Sequence, residues 1–218
     1  MELWDAFLDL LFPPRCAFCH KLLERRGGLI CPQCEKSLPY TAGSGIKQKM
    51  PFISAAVSPL YYEKDVRSSL LRYKFGGCPG YADAYAPLLA GCVKENLAGE
   101  YDLVSWVPLS RKRLRRRGYD QARLIAEKTA AILGADCVPT LKKIRNAKAQ
   151  SATGSAEKRR ANITGAYTVP YPERVRGKRI LLIDDIVTTG STLSECARML
   201  GMAGAEKVLA GTVARHRD

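Results

Sequence analysis

The chain has 218 residues, 46% hydrophobic and 26% charged, which is globular composition with enough apolar surface for a core. That excludes a disordered or collagen-like chain, and no apolar run approaches the roughly 18 residues that cross a bilayer. The 35 Lys and Arg outnumber the 21 Asp and Glu, for a net charge of +14. Residues 111–123 and 142–160 each hold seven basic residues and one acidic, so +6 apiece and together +12 of the +14. A field that concentrated points to a polyanion such as pyrophosphate, a nucleotide or nucleic acid; the alternative is a solvated basic face without a ligand.

At the N-terminus, Leu3, Trp4, Phe7, Leu8 and Leu11 recur at helical spacing. Acidic residues precede this short apolar stretch, the wrong polarity for a secretory signal, so a soluble, cytoplasmic protein with no stable membrane insertion is expected. The helix can pack on the chain's own second domain or serve a membrane surface or partner. Glu2, Asp5 and Asp9 favour the first use.

Next comes Cys16-x2-Cys19-x11-Cys31-x2-Cys34. Two such knuckles can set four thiolates around one Zn²⁺, with the residues between them folding as a ribbon. The alternatives are two disulfides, disfavoured in a chain without a secretory signal, or a redox pair, which needs no second copy. His20 is spare once four cysteines ligate. A module of about 40 residues cannot hold itself by core burial, so a structural metal supplies much of its folding energy. Cys78, Cys92, Cys137 and Cys196 stand among apolar neighbours and read as small buried core residues. Thr41–Pro51, rich in Gly, Ser and Lys, reads as a linker. The domains are accordingly 1–45 and 52–218.

From residue 52, strand-like and helix-like segments alternate. Ala55–Tyr62 predicts a strand, Val66–Phe75 a helix with Val66, Leu70, Leu71 and Phe75 apolar, and residues 80–97 a second helix. Asp102–Pro108 predicts a short buried strand and Gln121–Leu133 a helix. Ala166–Val169 and Arg179–Ile183 predict strands, Leu193–Met202 a helix, and Val208–Val213 a last strand. Such alternation argues for an α/β fold, a mostly parallel sheet with helices on both faces, whose ligands bind beyond the carboxyl ends of the strands.

Arg179–Thr192 runs from a buried strand through Asp184-Asp185 into Thr188-Thr189-Gly190-Ser191-Thr192 and then a helix. Thr192-x-x-Glu195 has the form of a capping box, placing the helix start near residue 192. Backbone N–H groups of residues 188–192 at a helix N-terminus suit a phosphate dianion, and Gly190 permits close approach. The two carboxylates suit the vicinal hydroxyls of a 5-phosphorylated ribose and its Mg²⁺ shell.

Strand, acidic pair and Thr-Thr-Gly-Ser-Thr loop closely resemble the signature of type I phosphoribosyltransferases, which grips phosphoribosyl pyrophosphate (PRPP). The resemblance implies that Asp184 and Asp185 hold the ribose and that Thr188, Thr189, Gly190, Ser191 and Thr192 hold the 5-phosphate. It puts the pyrophosphate beside Pro108, Leu109, Ser110, Arg111 and Arg117, with residues 142–163 as a mobile basic loop. Adding the Cys₄ ribbon, Val107–Ser110, Arg115–Gln121, Gln150, Arg159-Arg160-x-Asn162 and Gly165–Tyr167, the whole chain resembles the ComF/ComFC family, some of whose relatives carry the name GntX. Asp120 stands where that family commonly has Asn, and Ser110 where it frequently has His or another polar residue. The family resemblance implies DNA uptake in natural transformation, with a competence helicase or other DNA-processing protein as partner.

Two functions follow as expectations: a PRPP-binding protein that also binds single-stranded DNA, and an active phosphoribosyltransferase with an unidentified acceptor. DNA would meet Arg113, Arg115, Arg116, Arg117, Lys143, Arg159 and Arg160, with Tyr119 either stacking a base or packing at the start of its helix. The segments that would close over pyrophosphate are those that would hold DNA, so PRPP occupancy is expected to modulate DNA binding.

Overall fold

The computed structural model describes residues 13–23, 28–41, 50–145 and 163–217. The helix expected over residues 3–11, most of the linker, and residues 146–162 with Gln150, Arg159, Arg160 and Asn162 lie outside the described residues.

The ribbon contributes one helix, α1 (Pro32–Ser37), which begins at the second knuckle. Cys31 is its N-cap, its sulfur accepting from Cys34 N–H, and a proline stands in the first turn. Then follow β1 (Ala55–Val57), β2 (Leu60–Tyr61), α2 (Lys64–Phe75), a 3₁₀ turn (Pro79–Tyr81), α3 (Ala82–Leu97), β3 (Leu103–Trp106), α4 (Arg111–Arg117) and α5 (Gln121–Leu133). The chain continues through β4 (Lys142–Lys143), β5 (Tyr167–Thr168), β6 (Arg179–Val187), α6 (Ser191–Met202) and β7 (Lys207–Arg215).

The main sheet runs β1-β7-β6-β3, with β2 also on β7, and every pairing in it is parallel. β4 and β5 form a separate antiparallel pair. Alternate residues of each strand face opposite sides, giving two cores. Leu181, Ile183, Leu209 and Val213 pack with α2, α3 and α5 on one face. Ile180, Leu182, Val208 and Ala210 pack with α6 on the other. Burying each such Leu or Ile fully contributes about 1.5–3 kcal/mol.

Several expectations are corrected. The strand over Ala55–Tyr62 is two pieces, because Pro59 has no N–H to give the ladder, and the pieces pair with different stretches of β7. β6 runs four residues beyond Ile183, since β7 continues alongside it through Ile186↔Ala214 and Val187↔Arg215. Asp184 and Asp185 are therefore strand residues. Phe75 is 63% exposed, and Tyr73 takes the core position instead. Of the four lone cysteines only Cys196 is buried; Cys78, Cys92 and Cys137 are half-buried at a turn, a helix flank and a sheet edge. Burial still pushes the Cys92 and Cys137 thiols up to about 11.

Candidate functional site

The carboxyl ends of β3, β6 and β2 open on a cleft of about 320 Å³. Its walls include Lys74, Pro108, Leu109, Arg113, Arg117, Lys143, Asp184, Asp185, Thr188 and Thr192. The two carboxylates, adjacent on a strand, leave the sheet toward opposite faces and meet at its end. Asp185 faces α2 and pairs with Lys74 Nζ at 2.9 Å. Asp184 lies toward Tyr167, Lys143 and Cys196, and its Oδ1 accepts from Asp185 N–H at 2.9 Å. Burial, then the charge of Asp185, pushes the Asp184 carboxyl up to about 8, with Lys74 pulling it back.

Beyond Val187 the chain turns through Thr188 and Thr189, both exposed, into α6. Gly190 has φ +68°, the left-handed region that glycine adopts without strain, and it is the N-cap of α6. Met50 covers its other side, so a Cβ there would overlap the Met50 sulfur. Thr189 Oγ1 and Ser191 Oγ are hydrogen-bonded at 2.9 Å. Residues 184 and 186–193 enclose a smaller hollow at this helix N-terminus, where N–H groups and the helix dipole favour an anion.

The expected capping box does not form. The helix starts at Ser191, and its N-cap offers no side-chain bond. Glu195 instead accepts from Gly165 N–H at 2.7 Å and holds Arg198 at 2.8 Å, its carboxyl kept below the usual range by Arg198. These partners draw the carboxylate away from the helix start and fasten the Gly165 backbone to α6.

The opposite wall is a helix where the sequence reading assigned no element. Ser110 caps α4 by accepting from Arg113 N–H at 3.4 Å, and Gly118 closes it at φ +82°. Arg113 and Arg117, four apart on one face, line the cleft; Arg115 and Arg116 are exposed outside its lining. Arg111 lines a second hollow of about 330 Å³ with Ser110, Lys112, Lys142, Lys143, Ile144 and Arg145. Ser followed eight residues later by Gly was the available signal for this helix. Asp120 caps α5 and also accepts from Leu109 N–H at 2.9 Å, binding the 107–110 loop to that helix. Tyr119 is half-buried, its ring 5.6 Å from that of Tyr73 and its hydroxyl donating to Tyr73 O.

Sequence reasoning gave no site role to two cleft residues with amine or amide side chains. Lys74 is one. Gln121 is the other: it is buried, its Oε1 accepts from Arg117 at 2.8 Å, and its Nε2 has no hydrogen-bond partner among the described residues.

Beside the middle and last turns of α2, the sulfurs of Cys16, Cys19, Cys31 and Cys34 lie within 4.8 Å of one another, with Cys19 and Cys31 at 3.7 Å. Tetrahedral Zn–S bonds of about 2.3 Å need sulfurs about 3.8 Å apart, so the cluster fits the ion. Burial opposes a Cys16 thiolate, but N–H groups led by Cys31 bring it down to about 7. His20 is exposed and outside the cluster. The knuckle is tied to α2: Ser69 Oγ donates to Ala17 O at 2.5 Å, and Arg72 donates to Ala17 O and Phe18 O at 3.2 and 2.5 Å.

Residues 120–218 match the phosphoribosyl transferase domain model, and residues 7–45 the double zinc ribbon domain model. Sheet, cleft and sulfur cluster thus define a phosphoribosyltransferase-fold protein carrying a zinc ribbon. The chain is 31% identical over 205 residues to the DNA utilization protein YhgH of Salmonella typhimurium, covering 88% of this chain and 86% of that one. It is 28% identical over 212 residues to competence protein F of Haemophilus influenzae, covering 92% and 90%. With competence protein ComFC of Streptococcus pneumoniae it shares 29% over 207 residues, covering 88% and 84%. A solved structure of the allosteric regulatory enzyme of purine biosynthesis matches 66% of this chain and 30% of its own, at 23% identity and TM-score 0.44. The chain belongs to the ComF/ComFC family. Among the described residues no helix is long and apolar enough to cross a membrane.

Proposed function

We propose that the protein is a cytoplasmic PRPP-binding member of this family that handles single-stranded DNA during DNA uptake. One observation carries the reading: an acidic pair at the end of β6, Thr188 and Thr192 of the turn at a helix N-terminus, and Arg113, Arg117 and Lys143 all border one cleft, with the whole Thr-Thr-Gly-Ser-Thr turn around a smaller hollow that shares Asp184 with it. The 5-phosphate belongs at residues 188–192, the ribose hydroxyls at Asp184 and Asp185, and the pyrophosphate between Pro108–Ser110 and the α4 arginines. The two carboxylates are hard oxygen donors that fit Mg²⁺ carried in with the pyrophosphate; when bound, the ion would supply positive charge to that group. Calorimetric titration of Mg²⁺–PRPP tests the reading: wild type should release binding heat, and Asp184→Asn/Asp185→Asn should lose it. Equal heats would sink it.

DNA would lie along the exposed outer face of α4, on Arg115, Arg116 and neighbouring cations, with Arg159 and Arg160 from the basic segment. If six phosphates are neutralised, single-strand affinity should fall with salt at a log–log slope of about −4. A flat dependence would remove the DNA role. The relatives' names support the competence setting, in which a helicase or another DNA-processing protein is the expected partner.

A second reading is phosphoribosyl transfer to an acceptor, favoured by Gln121 Nε2, which has no partner among the described residues and belongs to a residue of the cleft lining. Catalysis would then consist of positioning and of stabilising the departing pyrophosphate by Arg113, Arg117 and Lys143.

A further inference from the structure

Among the described residues Lys74 is the one cleft cation that forms an ion pair with the acidic pair. It stands in the last turn of α2, and that turn is held from three directions. Arg72 reaches the knuckle carbonyls, Tyr73 donates from a buried hydroxyl to Gln121 O at 2.9 Å, and Phe75 lies under the Arg117 guanidinium at 4.9 Å. With its neighbours so fixed, Lys74 points at Asp185. Both side chains are largely withdrawn from water, 21% and 12% exposed, so the pair is little screened.

We infer that Lys74 reserves Asp185 for a sugar diol: its ammonium satisfies the carboxylate in the free protein, keeps a bare divalent cation off the acidic pair, and yields when ligand hydroxyls arrive. The inference rests on the PRPP reading, and it makes Lys74 a positioning residue acting through Asp185. Three features support it. The lysine donates to Asp185 Oδ1 at 2.9 Å. It sits beside two carboxylates in the cleft lining that would otherwise be free hard oxygen donors. Among the described residues Arg113, Arg117 and Lys143, the other cations of the lining, make no ion pair with Asp185, Arg117 bonding Gln121 and Lys143 bonding Tyr167, so cation exclusion at Asp185 falls to Lys74. The metal that accompanies the ligand then enters on its phosphates rather than waiting in the site.

The test uses Mn²⁺ alone, followed by its paramagnetic resonance, with the zinc-loaded full chain at pH 8. Wild type should bind Mn²⁺ weakly, Lys74→Met at least tenfold more tightly, and Lys74→Met/Asp185→Asn no better than wild type. Lys74→Arg should restore wild-type exclusion, which a general loosening of the fold would not do. If Lys74→Met does not fold, Lys74→Gln takes its place. Equal Mn²⁺ affinity in wild type and the neutral variant, or tight binding that survives Asp185→Asn, would overturn the inference. Because Mn²⁺ is titrated without sugar phosphate, a negative result here is separate from failure of the PRPP titration.

Discussion

Phe18 and Leu182 are both fully buried, yet the segments that carry them are ordered for different reasons. Leu182 lies in a nine-residue strand with strands on both sides and helices above and below, so sequence-local patterning and packing agree. Phe18 is one of the two residues between Cys16 and Cys19, its ring 5.9 Å from Tyr85, and little but a metal and borrowed contacts can keep it there. One part of the molecule owes its shape to area removed from water, the other to four sulfurs held together.

The largest effect that would separate the two is loss of the metal. Cys31→Ser should drop zinc from about one ion per chain to well under that, and exchange protection should vanish at Ala17 and Phe18 while β6 keeps its own; structural zinc is worth on the order of 10–16 kcal/mol in small ribbons. Elemental analysis with hydrogen exchange decides, and a wild-type chain without zinc would break the contrast. Leu182→Ala should cost about 2–5 kcal/mol in urea unfolding with zinc content unchanged. Next is a slope. The Asp184 carboxyl is raised from 3.8 to about 8, so between those values the folded chain keeps a proton the unfolded chain has lost. Stability must then fall as pH rises through that window, by up to about 1.4 kcal/mol per pH unit, and Asp184→Asn should flatten the profile. An unchanged profile in the variant would show that Asp184 is not the group responsible. The smallest stability effect is expected for Gly190→Ala, about 1–2 kcal/mol for the left-handed backbone, read from thermal melts, with PRPP affinity down more than tenfold.

The same contrast explains what could be read beforehand. α5 matches its expected span, Gln121–Leu133, because Asp120 and Gly134 mark its ends and its apolar spacing is regular. The four cysteines come together as their spacing requires, and the acidic pair and threonine turn fall where a strand meets a helix. What was hidden depends on neighbours distant in sequence. β6 is long because β7 continues beside it. Glu195 serves Gly165, thirty residues back, rather than its own helix start. Lys74 in the sequence is one more solvent-seeking residue of an amphipathic helix; only the approach of β6 gives it Asp185. The α4 arginines read as undivided charge until a helix splits them into cleft-facing Arg113 and Arg117 and outward Arg115 and Arg116.

The bonds from Ser69 and Arg72 to the Ala17 and Phe18 carbonyls have one more consequence. Ser69 Oγ also meets Tyr85 Oη at 2.6 Å, so the same hydroxyl serves the knuckle and the helix packed on the sheet. Heating the protein cannot peel the cysteine knuckle away as a loose appendage, because its departure strands polar groups in the interior of its neighbour. Calorimetry of the zinc-loaded chain should see the two parts melt as a single cooperative event, and once a chelator or Cys31→Ser has taken the zinc only the sheet's own transition should remain, at a lower midpoint.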